Sequence, residues 1–274
     1  MRAPAVKELA QAEGLWVLQP RSANAPEALE AVRLLEPDAL IVAAFGQLLR
    51  QPLLDIPKRG SLNVHASLLP KYRGAAPVAG ALLAGEHETG ATIMEVELAL
   101  DSGPIVAQRA LPIEANDTTG TLTAKVAELG AELLVDVLPA WERRKITPQP
   151  QDDSEGTYVR PVRREDAVID WSLDAKDVWR RVRAYNPWPV STTSVDGEPL
   201  RILEVWPLDE EGGVTPGTIV PLSNSIDLPG VGFAVQCGRG LLAVLRAQRS
   251  GKRAVSGADL LRGWHDLMGK QLGR

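Results

Sequence analysis

An α/β domain with a largely parallel sheet, followed by a small β-barrel domain, is the fold the sequence predicts. Three observations carry that expectation. Strand-length apolar runs alternate with helical patterns as far as Lys145, and one of them, ALIVAAF at residues 39–45, is apolar throughout, as in a strand covered on both faces. The polar, proline-bearing stretch PQPQDDSEGT then changes the texture. Beyond it the short segments RILEVW, GTIV, GFAVQC and LLAVLRAQ are divided by Gly, Pro and Asp turns, the pattern of a small barrel.

Taken in order, Pro4 as a first-turn residue, the apolar spacing of Val6, Leu9 and Ala10, and Gly14 as a stop predict a helix over about residues 4–13. A short strand is expected at 16–18. Asn24 is placed to cap a second helix that runs to Leu35, and the 39–45 strand follows. GSLNVH at 60–65 reads as a strand, 78–83 as an apolar helix, 89–98 and 104–113 as strands, and about 119–141 as a long helix. These elements make up a first domain over residues 1–145. A linker spans 146–163, and the second domain, 164–274, opens with a helix over about 174–184 that sets Val178, Trp179 and Val182 on one side.

The chain has 274 residues, 45% of them hydrophobic and 24% charged, as in ordinary globular proteins. One cysteine, Cys237, excludes a disulfide framework and a thiolate zinc site; in its apolar strand it is expected to be buried and inert. No apolar run approaches the roughly 20 residues that span a bilayer, and the first residues lack a signal-peptide apolar region, so a cytoplasmic protein with no membrane partner is expected. A net charge of -5 argues against a chain coated in basic residues for nucleic acid. The charge is uneven, however: Arg239, Arg246, Arg249, Lys252, Arg253, Arg262, Lys270 and Arg274 face only Asp259 and Asp266 toward the end of the chain, a local field suited to phosphates.

Chemistry is concentrated where strands end. Asn63 and His65 differ by two and so point to one side of their strand, ahead of the turn-rich loop ASLLPKYRGAAP. A lone histidine needs an orienting partner to act as an acid or base, and Asp101, before Ser-Gly-Pro at the exit of another apolar strand, is the best candidate. Together they offer an amide, an imidazole and a carboxylate. No dinucleotide or phosphate glycine loop, no zinc-protease helix and no serine-nucleophile elbow is found, and His87 and His265 lack ligand-spaced neighbours, so neither a metal nor a covalent nucleophile is expected.

NVHASLLPKYRGAAP together with GATIMEVELALDSGP resembles the formyltetrahydrofolate-dependent formyltransferases, with Asn63, His65 and Asp101 on that family's Asn-His-Asp catalytic positions. RGAAP after SLLP is closest to the members that formylate methionyl initiator tRNA, and IDWS, NPWP, RILEVW, PGTIV and SGKRAVSGADLL resemble their C-terminal barrel. The resemblance implies a Rossmann-like catalytic domain, an OB-like barrel, 10-formyltetrahydrofolate as formyl donor, no metal, and initiator tRNA as partner of a monomer. It implies that Asn63 serves the oxygen that becomes negative, that His65 moves a proton, and that Asp101 holds the imidazole. Ser67, Leu68, Leu69 and Pro70 would contact the folate, Phe45, Gly46, Gln47, Leu48 and Leu49 would line its pterin pocket, and Arg73 would meet the tRNA acceptor end, with a salt bridge inside the loop as its alternative. On charge, Arg246, Arg249, Lys252 and Arg253 are the expected phosphate contacts. An amino-sugar formyltransferase, a folate-hydrolysing relative and an impaired remnant that binds tRNA or folate are the competing functions. The family begins with a strand, a Gly-Thr-Pro loop, a helix, a second strand and a basic loop ahead of the segment that aligns with residues 3–14. The sequence as written is therefore expected to be N-terminally truncated, with a gap in the sheet between the strands at 16–18 and 39–44.

Overall fold

The computed structural model describes residues 3–222 and 228–273, so Arg274, counted above among the basic residues, lies outside the described residues. In chain order the elements are α1 (Ala5–Ala12), α2 (Pro26–Leu34), β1 (Leu40–Ala43), α3 (Gln51–Leu54), β2 (Ser61–His65), β3 (Arg73–Gly74), α4 (Pro77–Ala84), β4 (Glu88–Glu95), β5 (Ile105–Pro112) and α5 (Thr119–Glu142). There follow β6 (Tyr158–Val159), α6 (Ala175–Ala184), β7 (Ser191–Val195), β8 (Glu198–Leu208), β9 (Ile219–Val220), β10 (Ala234–Gln236), β11 (Leu241–Arg249), β12 (Val255–Ser256) and α7 (Gly257–Gly263).

The first sheet runs β1-β2-β4-β5, and only β1 and β2 are parallel; β4 pairs antiparallel with both β2 and β5. The expectation of a largely parallel sheet is thus corrected. Alternation of strand and helix implies a crossover at every helix, whereas α4 lies between two strands that run in opposite directions and the loop after β4 returns the chain directly to its neighbour. The predicted strand at 16–18 is not formed. Trp16 is 62% exposed, α1 buries no residue, and among the described residues Trp16 has no strand partner and β1 has a neighbour on one side only. There is consequently no gap flanked by two strands; β1 is an edge, with Ile41 exposed. Asn24 is not the cap of α2 either. Ala25 holds that position ahead of Pro26, while the Asn24 amide donates to the Leu48 carbonyl (2.8 Å) and its oxygen accepts from the Arg50 amide (2.8 Å).

Helix α5 is the cover of this sheet. Thr118 and Thr121 cap it reciprocally, and Leu122, Val126, Gly130 and Leu133 recur at helical spacing to face the strands. Gly130 permits the close approach, since a Cβ there would lie 2.7 Å from Val64 Cγ1. Apolar α4 is buried between α5 and α6, and one core cluster joins Val78, Ala79, Leu82 and Val126 to Ala184 and Tyr185. The two parts of the chain therefore share a core through α6. Arg183 reinforces the joint by donating to the Asp117 and Glu114 carbonyls (2.6 and 2.8 Å), and Thr119 donates to the Ala184 carbonyl (2.6 Å).

The second sheet is antiparallel and six-stranded, ordered β7-β8-β11-β10-β9 with β12 on β11. Leu272 bridges Val195 and Gln271 bridges Thr218, so the last described residues span its two outer strands and curl it into a half-barrel. Its core holds Val178, Val182, Leu200, Ile202, Phe233, Leu242 and Val244. Among the described residues no helix is long and apolar enough to cross a membrane.

Asp117 braces the start of α5 by accepting from the Glu114 amide, Thr121 and Lys125, each at 2.9 Å. Burial pushes this carboxyl up, but the three donors outweigh it and leave it below its usual range. A depressed folded value contributes stability that is present above the unfolded value and is lost as pH falls through the folded one. Asp117→Asn is expected to cost about 1–3 kcal/mol at neutral pH. In urea titrations its deficit from the native protein should shrink below about pH 4.

Candidate active site

Asn63 and His65 sit at the carboxyl end of β2, a strand held on both sides. Val42 of β1 pairs with Asn63, and Met94 and Thr92 of β4 pair with Asn63 and His65. The period-two expectation holds. His65 is buried, and its Nε2 lies 3.0 Å from the Tyr72 carbonyl oxygen; a carbonyl only accepts, so Nε2 carries a hydrogen. Its Nδ1 faces Asp101 Oδ2 at 3.7 Å, within ion-pair reach but longer than a hydrogen bond. The amide of Asn63 has no hydrogen-bond partner among the described residues and is left available.

Asp101 is held by two hydrogen bonds in a left-handed backbone conformation. Its φ of 52° places it in the left-handed region, where Asp is better tolerated than most residues. Oδ2 accepts the Gly74 amide at 2.8 Å, and its carbonyl accepts from Gln151 Nε2 at 2.9 Å. Gly74 has a φ of 104°, and a Cβ there would lie 2.4 Å from the Val159 carbonyl oxygen. Only glycine fits.

The loop from Ser67 to Pro70 is fixed chiefly by β4 and β5. Thr92 Oγ1 donates to the Ser67 carbonyl (2.6 Å) and accepts from the Leu69 amide (3.2 Å); Gln108 donates to the Leu69 carbonyl (2.8 Å) and to Thr92 (2.9 Å). Ser67 donates to the Lys71 carbonyl (2.7 Å) and is buried, as is Leu69, whereas Leu68 and Pro70 are half-exposed. Tyr72 donates to Glu86 at 2.7 Å; burial, then that hydrogen bond and charge, push the phenol well above its ordinary value. This anchors the residue whose carbonyl holds His65.

Parallel pairing of Ala43 with Val64 brings the loop after β1 out beside the end of β2. Phe45 is 50% exposed and Leu48 71%, with Gly46 exposed and Leu49 half-buried. Gln47 fastens the loop by accepting from the Ala23 amide (2.8 Å) and donating to the Arg21 carbonyl (3.4 Å).

Arg73 requires a correction. It is 2% exposed rather than offered to a partner. Its guanidinium donates to Gln151 Oε1 (3.0 and 2.8 Å), Asp153 (2.8 Å) and Tyr158 (3.1 Å), so it forms an ion pair, but with an acid outside the loop and not, as the alternative had it, inside it. The basic cluster is brought together on β11 and the turn after it, in unequal states. Arg249 is fastened to Glu198 by two bonds (3.0 and 2.9 Å) and lies over the Trp264 ring, Arg246 meets Glu204 at 3.3 Å, and Lys252 and Arg253 are exposed. Cys237 is buried, and burial followed by the charges of Glu211 and Asp174 pushes its thiol up to about 12.

Gln151, Thr92, Gln108 and Gly74 were missed by sequence reasoning. Thr92 was recoverable in principle, because pairing the two apolar strands sets it against His65. Nothing in a polar stretch distinguishes Gln151. Two surface pockets of ≈ 300 and ≈ 380 Å³ lie elsewhere, around Arg33 and Lys58 and around Lys176 and Arg239. Among the described residues no group of three or more His, Cys, Asp and Glu side chains is placed to hold a metal ion.

The family model described as "Formyl transferase" matches residues 1–138, and that described as "Formyl transferase, C-terminal domain" matches residues 161–265. A methionyl-tRNA formyltransferase of Methylococcus capsulatus is 44% identical over 268 residues, covering 98% of this chain and 84% of that one. Another, of Acidithiobacillus ferrooxidans, is 42% identical over 273 residues, covering 100% and 85%. Among solved structures, HypX from Aquifex aeolicus in complex with tetrahydrofolic acid aligns with a TM-score of 0.64 at 22% identity, over 88% of this chain and 41% of that one. A sugar 3N-formyl transferase, WlaRD, solved in the presence of dTDP and 5-N-formyl-THF, aligns with a TM-score of 0.63 at 16% identity, over 90% and 82%. At those identities the likeness is one of fold.

Gly74→Ala tests the geometry around Asp101. With its Cβ against the Val159 carbonyl at a positive φ, the variant is expected to lose about 1–3 kcal/mol of stability. The Gly74 amide hydrogen, bonded to Asp101 Oδ2, is expected to exchange faster in a variant that retains glycine there but carries Asp101→Ala than in the native protein.

Proposed function

The chain belongs to the formyl transferase family, and from that premise we propose that it transfers the formyl group of 10-formyltetrahydrofolate to the α-amino group of methionyl initiator tRNA, in support of translation initiation. One observation carries the catalytic assignment: the amide of Asn63, without a partner among the described residues, and a buried imidazole, His65, share one side of a strand end, with the Asp101 carboxylate 3.7 Å from the ring. The sugar N-formyltransferases share the fold at far lower identity, which favours the tRNA substrate over an amino sugar.

The neutral amine attacks the formyl carbon, the carbonyl π pair moves to oxygen, and the C–N bond to the folate nitrogen then breaks. Asn63 donates its N–H to the oxygen while that oxygen is negative, a kind of interaction worth about 3 kcal/mol. The nitrogen that has attacked is now cationic; it gives up a proton, the departing nitrogen gains one, and the oxygen's pair re-forms the carbonyl as the folate C–N bond breaks. Nε2 of His65 is committed to the Tyr72 carbonyl, so Nδ1 is the nitrogen left to carry the proton, with Asp101 alongside to hold the ring and balance its charge. Phe45 and Leu48 offer apolar surface to the pterin, with Gly46, Gln47 and Leu49 shaping their loop, and Leu68 and Pro70 border the folate while Ser67 and Leu69 hold the border in place. We divide the chain into a catalytic domain over 1–145, a linker over 146–163 and an OB-like barrel over 164–274, and take it to act as a cytoplasmic monomer.

Asn63→Ala is expected to lower kcat about 100- to 1000-fold. His65→Ala and Asp101→Ala should lower it by about two orders of magnitude or more while folate binding persists; turnover like that of the native protein in either would defeat the assignment. For tRNA, we assign phosphate contact to Arg246, Lys252 and Arg253, with Arg249 as the buttress beneath them. Replacing those three with alanine should weaken tRNA binding and flatten the slope of log affinity against log salt by about 2. Binding indifferent to salt would contradict it.

A further inference from the structure

We propose that Gln151 is a positioning residue for formyl transfer: one side-chain amide, reaching back from the connecting segment, ties buried Arg73 to the backbone of the Asp101 turn and so sets where the Asp101 carboxylate stands against His65. The proposal rests on the reading of Asn63, His65 and Asp101 as the catalytic groups.

All four hydrogen-bonding positions of this amide are used. Oε1 accepts from Arg73 Nε (3.0 Å) and Nη2 (2.8 Å), while Nε2 donates to the Asp101 carbonyl (2.9 Å) and to the Gly103 carbonyl (2.7 Å). The two carbonyls flank Ser102, so the amide staples both ends of the turn that gives Asp101 its φ of 52°. Such a backbone conformation persists only where its surroundings impose it. The staple is itself anchored. Gln149 exchanges two backbone bonds with Ile105 (2.7 and 2.8 Å), and β6 pairs with β3, which also contributes the Gly74 amide that binds Asp101 Oδ2. Asp101 is thereby held by its carboxylate through Gly74 and by its main chain through Gln151, and both holds trace back to β3. Donors and acceptors are needed at once, two facing a cation and two facing carbonyls, and among side chains of this length only an amide supplies both.

The test is Gln151→Glu in the full chain. Glutamate keeps the length and gains an ion pair with Arg73, yet has no hydrogen to give the two carbonyls. The protein should stay folded with a lowered thermal midpoint, because two carbonyls lose their donor, kcat for formyl transfer should fall about tenfold to a hundredfold, and KM for the folate should change little. In histidine-labelled protein the ring signals of His65 should shift while those of His87 and His265 stay. In an Asp101→Ala background the substitution should add no further loss, because it acts through Asp101. Native kcat with unmoved His65 signals in folded Gln151→Glu, or a loss that persists in full without Asp101, overturns the proposal. Should that variant fail to fold, Gln151→Ala, in which Arg73 keeps Asp153 and Tyr158, carries the same expectations. Loss of turnover in Asp101→Ala beside native turnover at the Gln151 variants sinks the positioning role alone; native turnover in Asp101→Ala removes the reading beneath it as well.

Discussion

The hydrogen bond from the Gly74 amide to Asp101 Oδ2 is the contact on which the geometry of the site depends. It joins two loops that leave different strands, the one after β2 and the one after β4; because these strands are antiparallel, with Leu62 opposite Glu95 and His65 opposite Thr92, the loops leave at opposite ends of the pair, and this bond holds the second loop back against the first. A carboxylate accepting a backbone N–H is a charge-assisted bond, stronger and shorter than a neutral one. Its donor can only be glycine, because the chain at that position has a positive φ and lies against the Val159 carbonyl. Through this bond the segment after the first domain enters the site: β6 fixes β3, β3 presents the amide, and the amide orients the acid.

Arg73 explains why that segment is not a tether. A guanidinium withdrawn from water needs its donors satisfied, and those partners are Gln151, Asp153 and Tyr158, all contributed by the stretch that composition marks as a linker. Asp153 is largely exposed, so its charge is screened and the ion pair adds little; the neutral amide and phenol do most of the satisfying. Arg183 plays a corresponding part on the other side of the joint, buried over the Trp179 ring with its donors on the carbonyls ahead of α5. Arg183 and one shared apolar cluster thus hold the half-barrel to the first sheet, and Arg73 holds the connecting segment to it.

Elements with strong local signals were legible. Helices α5 and α6 follow from apolar periodicity, and the pairing of Asn63 with His65 on one side follows from strand alternation. What was not legible depends on long-range partners. Strand direction is set by how loops return, so two antiparallel pairs were read as parallel. Residues 16–18 have strand-like composition and no partner, and composition cannot supply one. Asn24 looks like a cap, yet its amide serves the 45–50 loop better, with a donor and an acceptor both used. Arg73 reads as a surface cation until a phenol, an amide and an acid some 80 residues on are seen to enclose it.

The site has two halves of unequal stiffness, and the difference bears on how binding and chemistry divide. His65 and Asp101 are braced by β2, β3, β4 and the Gln151 segment, so little remains to be ordered before reaction. The 45–49 loop depends on Asn24 and Gln47 for its side-chain tethers and leaves Phe45 and Leu48 in water beside an edge strand. Phe45 and Leu48 are 50% and 71% exposed, so covering what remains in water with the flat ring of a folate would contribute about half to two-thirds of the roughly 1.5–3 kcal/mol that full burial of such a side chain gives. That gain has to exceed the entropy of fixing a five-residue loop, at about 1–2 kcal/mol per residue for backbone that is free beforehand. The hydrogen bonds of Asn24 and Gln47 lower that entropy in advance; on the proposed function they would set folate affinity while the braces around Asp101 would set turnover, so that affinity and rate would fall to different residues.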